Sequence, residues 1–151
     1  STPSRVWVTR HSGRPLLTRL DLSPRPASTG DAVPFADLAA HPEARGVVLT
    51  SDIAWDALKP YLARLDLIVL TFPIFRDGRG FTQARALREY GRFTGEIRAE
   101  GHVLPDQANY LRRCGVDGVM LGENADDAPW HRELRRFSTV YQRAIGDVTP
   151  P

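Results

Sequence analysis

Cysteine is nearly absent: Cys114 is the single one in 151 residues. One thiol excludes a disulfide framework within the chain and leaves a cysteine-based metal cluster without ligands, so a cytoplasmic location is the expectation. Lysine is equally scarce. Lys59 is the only one, and arginine carries the rest of the positive charge. Acids are interleaved with those arginines and the net charge is only +2, so the segregated basic stripe that a nucleic acid demands is missing. No apolar run approaches the length of a membrane span, and no signal-peptide pattern opens the sequence. No Gly-x-Gly-x-x-Gly follows an apolar run, which removes the phosphate cradle of a nicotinamide or flavin site and leaves the cofactor unassigned. A nucleophile elbow and a metal-ligand spacing are missing too.

What is present reads as an α/β protein. A length of 151 residues suits one domain, here 1–151, and 42% hydrophobic content lets it bury a core without staples. Short apolar runs at 5–10 and 15–20 flank a turn and predict an N-terminal β-hairpin within 1–22. Residues 23–34, rich in Pro, Ser and Gly, predict a loop, and a short helix over 35–40 follows. From Gly46 the pattern alternates. Strands are expected at 46–50, 67–71, 95–99 and 116–121, with helical stretches at 53–65, 83–90, 105–114 and from Pro129 onward. Pro60 should split or kink its helix. This gives a βα core over 46–145, a tail over 147–151, and a parallel sheet of about four βα units. That sheet is either half of a β/α barrel or a small open sheet. In both, the strand-to-helix loops gather at one edge, bringing Asp52, the 72–82 loop, residues 100–104 and residues 123–127 together.

The 72–85 stretch, with Phe75, Arg76, Asp77, Gly78, Arg79 and Gly80, stands between a buried strand and a helix, where parallel α/β proteins place their sites. If Thr82 caps that helix, its open N–H groups, Arg79 and Arg85 form an anion site. The alternative is that Asp77 pairs with either arginine and ties the loop down, while Gly78 and Gly80 permit a tight turn. Glu96, Arg98 and Glu100 share one strand face by period two, either the inner wall of a half barrel with Arg98 near the site or, on an open sheet, a face turned to solvent or paired into a helix. His102 and Asp106 stand four apart across a loop-to-helix junction and suit a general acid–base pair, or equally a surface histidine and a helix-start carboxylate. Cys114 falls on an apolar stripe as a buried thiol. The acidic run at 123–127 reads as solvated.

Phe72-Pro-x-Phe-x-Asp-Gly-Arg-Gly-Phe-x-x-Ala-Arg-x-Leu-Arg88, Gly95-Glu-x-Arg-Ala99, Leu104-x-Asp-Gln107 and Arg113-Cys-Gly115 form an ordered set. This set resembles an uncharacterised bacterial family, the domain of unknown function numbered nine-three-four, over about 46–121. The resemblance implies a setting beside sulfite reductase and reductive sulfate assimilation, from which members carry the label of oxidoreductases of sulfite reduction. Gly101-His-Val-Leu-Pro-Asp-Gln107 departs from the family's usual Gly-Asp-Val-Leu-Arg-Asp-Gln, Val116 replaces an aromatic, and Gly118 and Val119 replace a bulkier pair. These departures imply a divergent member, an offshoot with a changed substrate.

Two readings follow. In the first, a small enzyme grips an anionic metabolite with Arg79, Arg85, Arg98, Phe75 and Gln107, while His102, Asp77 or Asp106 moves protons. In the second, a non-catalytic accessory docks the 72–81 loop onto a sulfur-assimilation or biosynthetic enzyme. A half barrel could also pair with a second copy of itself.

Overall fold

Runs of Val, Ile and Leu favour pleated, buried strands, and the chain uses them as the middle of one sheet. The protein is described here from a computed structural model covering residues 6–7, 17–28, 31–72, 79–122 and 125–136. In chain order the elements are β1 (Val6–Trp7), β2 (Leu17–Asp21), β3 (Val33–Pro34), α1 (Phe35–Leu38) and β4 (Gly46–Leu49), followed by a 3-10 helix over Trp55–Arg64. Next come β5 (Leu67–Phe72), α2 (Arg79–Glu89), β6 (Glu96–Gly101), a 3-10 turn (Pro105–Gln107) continuing into α3 (Ala108–Arg113), and β7 (Gly118–Gly122). A final helix, α4, covers 128–136.

Among the described residues the sheet has seven strands in the order β1-β2-β7-β6-β5-β4-β3. The run from β3 to β7 is parallel throughout, and β2 lies antiparallel to both β7 and β1. The α/β class and the antiparallel N-terminal pair agree with the sequence reading; the turn of the hairpin lies outside the described residues, as do residues 137–151. Because β4, β5, β6 and β7 are neighbours in sequence order, crossovers of one hand place their helices on one face. This is the winding of a barrel segment in a sheet that stays open, with β1 and β3 at its edges.

Strand periodicity separates the two faces. Leu49, Leu70, Ala99 and Val119 point to the helix-covered face and join Leu58 of the 3-10 helix, Leu87 of α2, Leu111 of α3 and Trp130 of α4 in one buried cluster. On the opposite face Leu67, Val69 and Met120 are also buried but stand apart from that cluster, beside the buried charges Arg19, Glu96, Arg98 and Glu100.

Three local expectations change. The 23–34 loop ends in β3, which pairs Val33 with Val47. Pro60 does not split its helix: lacking an N–H and crowding the preceding turn, it sits inside a single ten-residue 3-10 helix. Thr82 does not open α2, which starts three residues earlier at Arg79. Gly80 therefore lies in the first turn of α2 and not in a tight turn before it. A Cβ at that position would collide with the Phe72 ring, so glycine is what lets the last side chain of β5 pack under the helix.

Candidate functional site

The carboxyl ends of β4, β5, β6 and β7 share one edge, because the four strands are parallel. At that edge, on the face away from α2, α3 and α4 and walled on one side by α1, is a cavity of about 450 Å³ lined by Pro34, Phe35, Ala36, Val48, Thr50, Ile53, Thr71 and Glu100. Its size falls within the range of about 300–1,000 Å³ common for small-molecule sites. The register explains the lining. Leu49 pairs with Leu70 and Thr71 pairs with Glu100, so Thr50, Thr71 and Glu100 form a polar row across three adjacent strands. Val48 lies one layer below, level with Val69 and Arg98. Pro34, Phe35 and Ala36 form the wall from β3 and α1.

The wall carrying Thr50 and Ile53 is pinned from the helix side. Gln83 Nε2 donates to Thr50 O at 3.0 Å and to Ile53 O at 2.7 Å. Two carbonyl acceptors fix which end of the amide is the donor. Among the described residues Gln83 Oε1 is then left as a buried acceptor without a hydrogen-bond partner. Sequence reading missed Gln83, Thr50 and Thr71, since no local spacing marks a residue whose partners arrive from another strand. Glu100 was within reach through its period-two relation to Arg98.

The residues singled out from sequence divide differently. Phe75 and Asp77 lie outside the described residues, and so does the side chain of Arg79, whose backbone opens α2. Arg85 is nearly two turns into α2, not in its first turn. It is about half exposed and lies 3.6 Å from Glu89. Arg98 is buried on the other face of the sheet, donating through Nε to Glu96 Oε2 at 2.6 Å and through a terminal nitrogen to Ser28 O at 2.8 Å. The sheet stands between Arg85 and Arg98, so they do not form one grip on an anion. His102 and Asp106 are both exposed near the carboxyl end of β6, and among the described residues no hydrogen bond joins them.

Gln107 acts within its own turn, its Oε1 accepting a hydrogen bond from Leu104 N at 2.9 Å, which is the returning half of a capping box; the leucine side chain has no acceptor for the other half. Gln107→Ala is therefore expected to lower stability by about 1 kcal/mol, a drop of roughly 2–4 °C in thermal midpoint, because it removes one capping hydrogen bond. Differential scanning calorimetry of the variant measures this. Cys114 is buried, and burial pushes its thiol above the ordinary value, which keeps it protonated and unreactive. The acidic run is not simply solvated: Asp126 accepts from Ala128 N at 3.0 Å at the start of α4, and Asp127 faces His131 one turn on.

A second set of polar residues sits at the opposite, amino ends of β6 and β7. Glu96 Oε2 accepts from Arg19 Nε at 2.7 Å as well as from Arg98. Asp117 Oδ2 accepts from Arg88 at 2.6 Å and from Ile97 N at 3.0 Å, and Asp117 Oδ1 accepts from Ser23 Oγ at 2.7 Å. Burial pulls the Arg88 guanidinium below its usual pKa, against the opposing pull of Asp117. Gly118 leaves room for Arg19, whose Cζ would be 2.7 Å from an added Cβ. The absence of a bulkier residue at 118 is thereby matched to the arginine crossing it.

Among the described residues no helix is long and apolar enough to cross a membrane, and no group of three or more His, Cys, Asp or Glu side chains is placed to hold a metal ion. Searches of curated proteins and of solved structures gave no significant match. The model of one family, described as "Bacterial protein of unknown function (DUF934)", matches residues 46–151. That span holds β4 to β7 and the Thr50–Thr71–Glu100 row, while Arg19, Ser23, Ser28 and the Pro34–Phe35 wall precede it. With the match covering well over half its length, the chain belongs to this bacterial family of unknown function.

Proposed function

We propose that the protein acts on a small organic metabolite held in the cavity over the carboxyl ends of β4, β5 and β6. The observation that carries this reading is the cavity itself, with apolar walls from Phe35, Val48 and Ile53 and a polar row of Thr50, Thr71 and Glu100 along one side. An apolar cleft with a few polar groups along one side is a common build of a ligand site. His102 and Asp106, near the same end of β6, are the titratable groups available for proton transfer if the bound metabolite is turned over. The sulfur-assimilation setting implied by the family resemblance supplies compounds to try first.

A thermal-shift panel of sulfite, sulfate, phosphate, nucleotides, thiols and small amines tests the reading, because a ligand of the folded state stabilises it in proportion to the logarithm of its excess over Kd. Val48→Trp fills the cavity from β4. A ligand that raises the wild-type midpoint and loses its effect in Val48→Trp supports the site. No stabilisation at millimolar concentrations, or equal stabilisation of both proteins, counts against it.

A second reading, a non-catalytic accessory of a sulfur-assimilation enzyme, is supported by Tyr110. It is substantially exposed and packs against Phe81, with ring centroids 4.8 Å apart. Aromatic anchors of this kind suit docking.

A further inference from the structure

We propose that the cavity selects an apolar ligand carrying a hydrogen-bond donor, such as a hydroxyl or an amide N–H, and that the Thr50 hydroxyl oxygen receives it. This inference rests on the cavity being the ligand site and adds the polarity of the group that Thr50 recognises. Thr50 is exposed and lines the cavity two residues beyond Val48, on the same side of the chain. Its carbonyl is held at two points, by Ile53 N at 3.1 Å and by Gln83 Nε2 at 3.0 Å. Gln83 is 5% exposed and also donates to Ile53 O, so a buried amide on α2 fixes the backbone that carries the hydroxyl.

A hydroxyl has one proton to donate and two lone pairs to accept with, whereas a carboxylate only accepts. Thr50 Oγ1 donates to Asp52 Oδ1, so its proton is engaged and what it offers a ligand is a lone pair. Asp52 also interacts elsewhere in the fold; the direction of this hydrogen bond follows from the hydroxyl being the partner that has the proton. A ligand whose polar atom only accepts must break the Thr50–Asp52 hydrogen bond to engage Thr50. A ligand that donates adds to it, and the two bonds in series, ligand to Thr50 to Asp52, strengthen one another. The choice is between donor and acceptor and draws on no charge at the polar side of the cavity. Phe35, Val48 and Ile53 take the apolar body. The arginine-lined anion site that the sequence suggested would instead offer donors and prefer an accepting ligand.

The test uses three uncharged probes of matched shape: 1-phenylethanol, which donates and accepts, acetophenone, which only accepts, and isopropylbenzene, which does neither. Binding is read by thermal shift and ligand-detected NMR on the wild-type chain, Thr50→Val, Thr50→Ser and Val48→Trp. The wild type is expected to prefer the alcohol over the ketone by about two- to tenfold, the worth of one hydrogen bond. Thr50→Val should abolish that preference and leave isopropylbenzene within a few-fold, while Thr50→Ser should keep it. If Thr50→Val folds poorly or loses isopropylbenzene, Thr50→Ala is read in its place by the same criterion. An alcohol preference that persists without the Thr50 hydroxyl would overturn the assignment to this residue. Ketone binding as tight as that of the alcohol, with both lost in Val48→Trp, would overturn the donor selection and leave the cavity reading intact, as would a metabolite of the panel that binds when none of the three probes does. Probe binding that persists in Val48→Trp would overturn the assignment to this site. If none of the probes and none of the metabolite panel binds the wild type, both readings fall.

Discussion

Glu96→Ala is expected to cost about 3–5 kcal/mol of folding stability, because it strips the shared carboxylate from two buried guanidinium groups. Arg19 and Arg98 both place Nε against Glu96 Oε2, at 2.7 and 2.6 Å. Their side chains are 4% and 6% exposed, and that of Glu96 is 2% exposed, so water cannot take over. Ser28 N also gives up its acceptor, Glu96 Oε1. Against a total stability of about 5–15 kcal/mol, such a loss leaves the chain marginal. The thermal midpoint should fall by on the order of 10 °C.

The same physics makes a second, opposite forecast. Replacing all three charges together, as Arg19→Met, Glu96→Leu and Arg98→Met, removes the desolvation cost along with the attraction, and most of the lost stability should return. Urea unfolding of the single and triple variants measures both. A single variant with a near wild-type midpoint, or a triple variant as weak as the single, would sink this account of the network.

The contrast between this network and the cavity shows what the chain made legible. Period-two spacing placed Glu96, Arg98 and Glu100 on one face of a strand, and the structure keeps them there. Spacing could not choose between pairing and function, because that depends on what arrives from elsewhere. Arg19 comes from 77 residues away in sequence. It settles Glu96 and Arg98 as a buried lock, while Glu100, two residues toward the carboxyl end, meets Thr71 at the mouth of the cavity. Asp117 carried a weaker signal of the same kind: an acid between Val116 and Gly118 in an apolar strand must find a partner if the strand is buried.

The strand and helix pattern was readable because Gly46 to Gly122 alternates between apolar runs and helical stretches. The start of α2 was misplaced because Gly78 and Gly80 look like turn residues when Phe72 is not known to pack on the helix. The cavity was not readable at all. It needs the register that sets Thr50 beside Thr71 and Thr71 beside Glu100, together with a wall from Pro34 and Phe35 that precedes the alternating core.

Asp117→Ala is expected to cost about 1.5–3 kcal/mol, by removing a charge-assisted hydrogen bond from the partly buried Arg88. It should also leave a local signature. Ile97 N donates to Asp117 Oδ2 at 3.0 Å, whereas Leu22 N donates to the backbone oxygen of residue 117 at 2.8 Å. Truncating the side chain deletes the first acceptor and keeps the second. Under native conditions amide exchange at Ile97 should accelerate beyond the change set by global destabilisation, while Leu22 should follow the global change alone. Arg88 retains the carbonyls of Phe93 and Gly95, each at 2.8 Å, and that of Gly115, so the joint between α2 and the strands loosens at one point without dissolving. The carboxylate also accepts from Ser23 Oγ and pairs with Arg25, so if Leu22 loses protection as selectively as Ile97, those side-chain contacts and not the backbone hydrogen bond of Leu22 hold the start of the 22–28 segment, and the division between side-chain and backbone roles is wrong.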